Sequence, residues 1–82
     1  MQDQGISQAM RDDLRTQAAV MALILSEHPT LLTLGDVGLE MDDNEEWVTR
    51  AVRDLTAVGL LRREGESVIA TRAALAFDRL PL

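Results

Sequence analysis

The sequence predicts a mainly helical α+β domain with a small β-hairpin, in the order α-β-α-α-β-β-α. Three observations carry this prediction. Several segments place apolar residues at three- and four-residue spacing, the signature of one-sided helices. Ser, Thr or Asp stands just before each of these segments, where an N-cap belongs. Two short runs near the C-terminus flank the glycine-bearing turn "EGES", as the strands of a hairpin do. The 82 residues make one domain over 1–82. A domain near this size buries only about 60–65% of the surface its unfolded chain exposes, so its core is modest and a partner subunit would add to it.

The first helix is expected over about 7–27. Ser7 is its N-cap, and Pro29 excludes helical geometry from the residue before it. Met10, Leu14, Ala18, Met21 and Leu25 form a stripe at helical spacing that is expected to face the core. From Ala18 onward Ala19, Val20 and Leu23 make the other side apolar too, so this half needs cover all round. A second copy of the chain would supply it. The expected subunit interface is Met10, Leu14, Ala18, Val20, Met21 and Leu23.

"PTLLT" at 29–33 is expected as a short extended connection. Thr33 then caps a second helix over 34–41, with Leu34, Val37 and Met41 on one face. Gly35 and Gly38 each cost about 1 kcal/mol against alanine in a helix interior, which suggests close helix packing at those positions. Asp43 and Glu46 have the spacing of a capping box, opening a third helix over 44–58. Its buried face is expected at Val48, Ala51, Val52, Leu55 and Val58, with Trp47 at the edge of that face. Glu46, Thr49, Arg50, Arg53 and Ala57 project the other way. Gly59 closes the helix as a C′ glycine.

Strands are expected at 60–63 and 68–70, joined by the four-residue loop "EGES" with Gly65 supplying the turn, so that the hairpin occupies 60–70. Thr71 caps a last helix over about 72–80, whose apolar positions are Ala74, Leu75, Phe77 and Leu80.

Composition excludes several classes of function. The chain has no cysteine and a single histidine, His28, so thiolate zinc sites and disulfide frameworks are not available. His28 is most simply a last-turn residue near a helix C-terminus. "DDNEE" at 42–46 alternates like the start of a calcium loop, but the loop's glycine and final glutamate positions hold Trp47 and Arg53. No nucleophile–base pair and no glycine-rich phosphate loop is present. No catalytic residue, metal or cofactor is expected, and the protein is not expected to be an enzyme. The longest apolar run, Ala18 to Leu25, is far short of the roughly 20 residues that span a bilayer. "MQDQGISQ" lacks the basic residues of a signal peptide. A soluble, cytoplasmic protein without membrane contact is expected.

The formal net charge of −6 is unevenly spread. Residues 1–46 hold two arginines against ten acids, whereas 47–82 hold six arginines against four. The basic part is the C-terminal part.

"WVTRAVRDLTAVGLLRR" lies in the middle of this order of elements. Together they resemble the winged helix-turn-helix domain of prokaryotic transcription regulators of the MarR-like and ArsR-like kind, over about 14–80. The motif is a hydrophobic residue, Thr, Arg, Ala, a hydrophobic residue, two polar residues and Leu, ending in a Gly-Leu-hydrophobic-Arg step. The resemblance implies that the third helix is a recognition helix and the hairpin a wing. By position in the motif it makes Val48 and Leu55 core anchors, Thr49, Arg50 and Arg53 groove-facing, and Arg62 and Arg63 part of the wing.

Double-stranded DNA is then the implied partner. Arginine in the major groove offers two donors to guanine O6 and N7, and Thr49 reaches a base edge or phosphate. Arg62 and Arg63 would neutralise backbone phosphates or enter the minor groove. A homodimer would read two half-sites about one helical turn apart. Asp42, Asp43, Glu45 and Glu46 oppose this, since they crowd the end of the helix where phosphate would be welcome. The alternative from another class is an interaction module in which the acidic face of residues 36–46 docks on a basic protein and DNA is not touched.

Overall fold

Residues 8–42 and 44–80 are described by the structure, a computed structural model. The elements are α1 (Gln8–Glu27), β1 (Leu32–Thr33), α2 (Leu34–Met41), α3 (Glu45–Ala57), β2 (Leu61–Glu64), β3 (Ser67–Ala70) and α4 (Arg72–Arg79). The expected order is the observed one. The three strands form one antiparallel sheet, β1-β3-β2, in which Leu32 opposes Val68 and Leu61 opposes Ala70. This arrangement is compatible with a winged helix. Among the described residues no helix is long and apolar enough to cross a membrane.

Local chemistry explains most boundaries. Thr33 caps α2 with a reciprocal box: its hydroxyl accepts from the Asp36 amide at 3.0 Å, and the Asp36 carboxylate accepts from the Thr33 amide at 3.0 Å. α2 ends at Asp42, which takes the left-handed conformation at φ 51 that Asp tolerates better than most residues. The N-cap expected at Ser7 and the capping box expected from Asp43 lie outside the described residues. Asn44 is the N-cap of α3 instead, its side chain accepting from the amides of Glu46 at 2.8 Å and Trp47 at 3.3 Å. Gly59, at φ 85, turns the chain from α3 into β2.

Five expectations need correction. The hairpin loop has two residues, Gly65 and Glu66, because Glu64 pairs with Ser67. Gly65, at φ 61, supplies the positive φ that a two-residue hairpin turn needs at its first position.

The core-facing stripe of α1 is Thr16, Val20 and Ile24, whereas Met10, Leu14 and Ala18 are exposed. The second half of α1 is apolar nearly all round, so periodicity alone fits either stripe. Thr16 made the true one look polar, but its hydroxyl donates to the Asp12 carbonyl at 3.0 Å and so is buried without loss of a hydrogen bond.

On α4 only Ala74 is buried and Leu75 partly so, while Phe77 and Leu80 are exposed. That short helix rests on β3 with one face. Val58 leaves the buried stripe of α3 because the helix ends at Ala57, and it is exposed.

Finally, Gly35 and Gly38 are not sites of close packing. A Cβ at Gly38 would meet nothing within 4 Å, and one at Gly35 would stand 3.7 Å from the Thr33 hydroxyl, ordinary contact.

The core joins Val20 and Ile24 of α1, Val37 of α2, Val48, Ala51, Val52 and Leu55 of α3, Leu61, Val68 and Ala70 of the sheet, and Ala74 of α4. Burying four side chains of α3 on one side fixes which of its residues face outward.

Candidate functional site

The exposed side of α3 carries Glu45, Glu46, Thr49, Arg50 and Arg53, as the 3.6-residue period requires once Val48, Ala51, Val52 and Leu55 are inside. Two shallow concavities meet on it. One is lined by Glu45, Glu46, Trp47, Thr49, Arg50 and Arg53. The other lies between α3 and β2 and is lined by Thr49, Val52, Arg53, Thr56, Ala57 and Arg63. Thr49 and Arg53 belong to both, so one continuous strip runs from the first turn of α3 to the hairpin.

The arginines along this strip differ in state. Arg50 Nη2 lies 3.0 Å from Asp13 Oδ1 on α1, with both side chains about half exposed. Arg62 Nη2 lies 3.0 Å from Glu64 Oε2. Among the described residues neither Arg53 nor Arg63 makes an ion pair. Arg62 and Arg63 are neighbours on a strand and so point to opposite faces of the hairpin. Arg63 shares its face with buried Leu61 and reaches the α3 side, while Arg62 shares the other face with Glu64. The structure therefore brings Thr49, Arg53 and Arg63 together and sets Arg62 apart.

Acid borders the strip at both ends. Asn44 occupies the amides of the first turn of α3, and the carboxylates of Glu45 and Glu46 flank them. The tip of the hairpin carries Glu64 and Glu66 on either side of Gly65. A third groove, between α2 and α3, is lined by Leu34, Gly35, Gly38, Leu39, Glu45, Val48 and Thr49, with Leu39 at 82% exposure. Trp47 is 42% exposed and borders a depression with Asp12, Arg15 and Met41 between α1 and α2.

The six residues expected to form a subunit interface divide into three groups. Met10, Leu14 and Ala18 lie on the exposed side of α1. Met21 and Leu23 are partly buried against the core. Val20 is 0% exposed within its own chain, so it is core and has no surface to offer a partner.

Sequence reasoning missed Asp13, because nothing local links it to a residue 37 positions away. It also missed the exposed Leu39, and it counted Phe77 among the apolar positions of the last helix, where that side chain is exposed. Among the described residues no three His, Asp or Glu side chains gather as a metal ion would require.

Compared with known proteins, the chain matches no family model and no curated protein sequence. Among solved structures it is similar to an O-methyltransferase family protein from Burkholderia thailandensis, with a TM-score of 0.53 and 19% sequence identity, over 85% of this chain and 24% of that one. The chain thus spans about a quarter of its structural neighbour's length. At that identity the likeness carries the fold alone.

Proposed function

We propose that the protein is a sequence-specific double-stranded DNA-binding transcriptional regulator of the winged-helix kind, acting as a homodimer. The observation that carries this reading is the grouping of Thr49, Arg53 and Arg63 along one strip between the outward face of α3 and β2, with neither arginine held by an acid among the described residues. An arginine on an outward face, held by no acid of its own chain, is suited to guanine or phosphate. The net charge of −6 does not forbid this, because potentials are screened over about 8 Å at physiological salt and the local balance governs contact. The exposed Met10, Leu14 and Ala18 on α1 are the surface through which two copies would associate.

The test is fluorescence anisotropy with random-sequence and genomic duplex pools, starting at low ionic strength. Binding should weaken as salt rises, with a log–log slope near −0.9 for each neutralised phosphate. Arg53→Ala and Arg63→Ala should each weaken binding. An Arg53→Ala protein that binds every duplex as tightly as the parent removes α3 from the interface.

A second reading is favoured by different residues. Arg50 and Arg62 already have carboxylate partners, and Glu45, Glu46, Glu64 and Glu66 border the strip. In this reading the acidic surface docks on a basic protein. The absence of duplex binding at low salt, together with a stoichiometric complex on a purified basic partner, would select it. Methyl transfer is not proposed, since a likeness at 19% identity to a quarter of the neighbour supports the fold and no activity.

A further inference from the structure

We infer that Asp13 is an internal stand-in for a DNA phosphate, holding Arg50 away from the nucleic acid and setting the affinity of the α3 surface below what its arginines allow. The inference rests on the DNA reading proposed above. Arg50 is on the same concavity as Thr49 and Arg53, one helical turn before Arg53, so it belongs to the surface that would meet the duplex. Its guanidinium is engaged by Asp13 Oδ1 at 3.0 Å. A carboxylate and a phosphate oxygen compete for the same donors in the same geometry, so Arg50 serves one or the other.

Asp13 holds this position because α1 lies across α3. Thr16, Val20 and Ile24 pack toward the core, and Asp13, one turn before Thr16 and Gln17, is carried to the α3 side of the helix. Exposure of 47% and 40% for the two side chains keeps the pair in contact with solvent, so salt and a phosphate can open it. An ion pair of this exposure attenuates binding and does not abolish it.

The experiment compares Asp13→Asn with Asp12→Asn, which makes the same change of charge one residue away on the same helix, in the parent and in an Arg50→Ala background. Circular dichroism confirms that each variant folds, as expected for exposed or half-exposed positions. Duplex affinity is read by anisotropy across a salt series. Asp13→Asn should tighten binding about two- to five-fold and steepen the salt slope by up to about 0.9 as one more phosphate is engaged. Asp12→Asn should change affinity less, and the gain from Asp13→Asn should vanish without Arg50. Equal gains from the two asparagine variants, or a gain that survives Arg50→Ala, would overturn the inference while leaving DNA binding in place. If no protein in the set binds duplex even at low salt, the DNA reading falls and the inference with it.

Discussion

The Thr71 hydroxyl lies 2.6 Å from the carbonyl oxygen of Gly59. This contact fastens the start of α4 to the bend between α3 and β2. The Thr71 hydroxyl oxygen in turn accepts from the Ala74 amide at 3.3 Å, and the Thr71 amide donates to the Leu60 carbonyl at 3.1 Å. One side chain thus caps α4 and satisfies a carbonyl that the end of α3 leaves open. Thr71→Val preserves shape and branching while removing the oxygen. It should destabilise the domain by about 1–2 kcal/mol, the range for a lost N-cap with a hydrogen bond left unmade. A loss of that size lowers the melting temperature of so small a domain by about 4–8 °C per kcal/mol. Thr71→Ser should stay near the parent in urea denaturation. If the valine variant unfolds at the parent's midpoint, the hydroxyl has no such role.

Two glycines should respond to alanine in opposite directions. Gly59 sits at φ 85, where an L side chain costs about 1–2 kcal/mol, so Gly59→Ala should destabilise by that amount. Gly38 lies inside α2 with open space where a Cβ would go. Gly38→Ala should therefore stabilise by about 0.4–1 kcal/mol, through better helix propensity and a less flexible unfolded chain. Paired chemical denaturation measures both. A destabilised Gly38→Ala protein would mean that the backbone there is constrained by something other than helix geometry.

The N-terminus of α3 offers a third test. Asn44 accepts from two amides of the first turn, and its replacement by alanine should cost about 1 kcal/mol. Asp at that position should keep most of the cap's contribution, because Asp caps as well as Asn does. Failure of Asn44→Asp to keep that stability would indicate that a further negative charge beside Glu45 and Glu46 outweighs the cap.

Elements were legible in the sequence where local chemistry decides them. Thr33, Thr71 and Gly59 mark helix ends by hydrogen bonds and backbone angles that reach only a few residues. The face of α3 was legible because polar and apolar positions there alternate with one clear period. α1 was not, since two stripes fit its periodicity and the deciding residue, Thr16, hides its polarity in a bond to its own helix. The site was legible in part. Thr49, Arg50 and Arg53 follow from the face of α3, yet the pairing of Arg50 with Asp13 depends on how α1 crosses α3, a tertiary relation that no local pattern encodes. The separation of Arg62 from Arg63 follows from strand alternation once the register is known. Reading the two as one basic step concealed it.

The α1 surface yields the prediction that bears most directly on assembly. Leu14 is 51% exposed and Val20 is fully buried, although the sequence assigned both to one interface. Their substitutions should therefore separate association from folding. Leu14→Glu places a charge at a half-exposed position outside the core cluster, so helical content and the unfolding midpoint at low concentration should match the parent. If two copies meet through Met10, Leu14 and Ala18, the charge would be buried against apolar atoms on association, and sedimentation should show a dimeric parent and a monomeric variant. Val20→Ala removes two core methyl groups and should destabilise by about 2 kcal/mol, with subunit association unchanged while the protein remains folded. A parent that sediments as a monomer at all accessible concentrations would remove this face from any self-association. A Leu14→Glu protein that still dimerises would move the interface elsewhere, with the exposed Phe77 of α4 and Leu80 just after it the next surface to mutate.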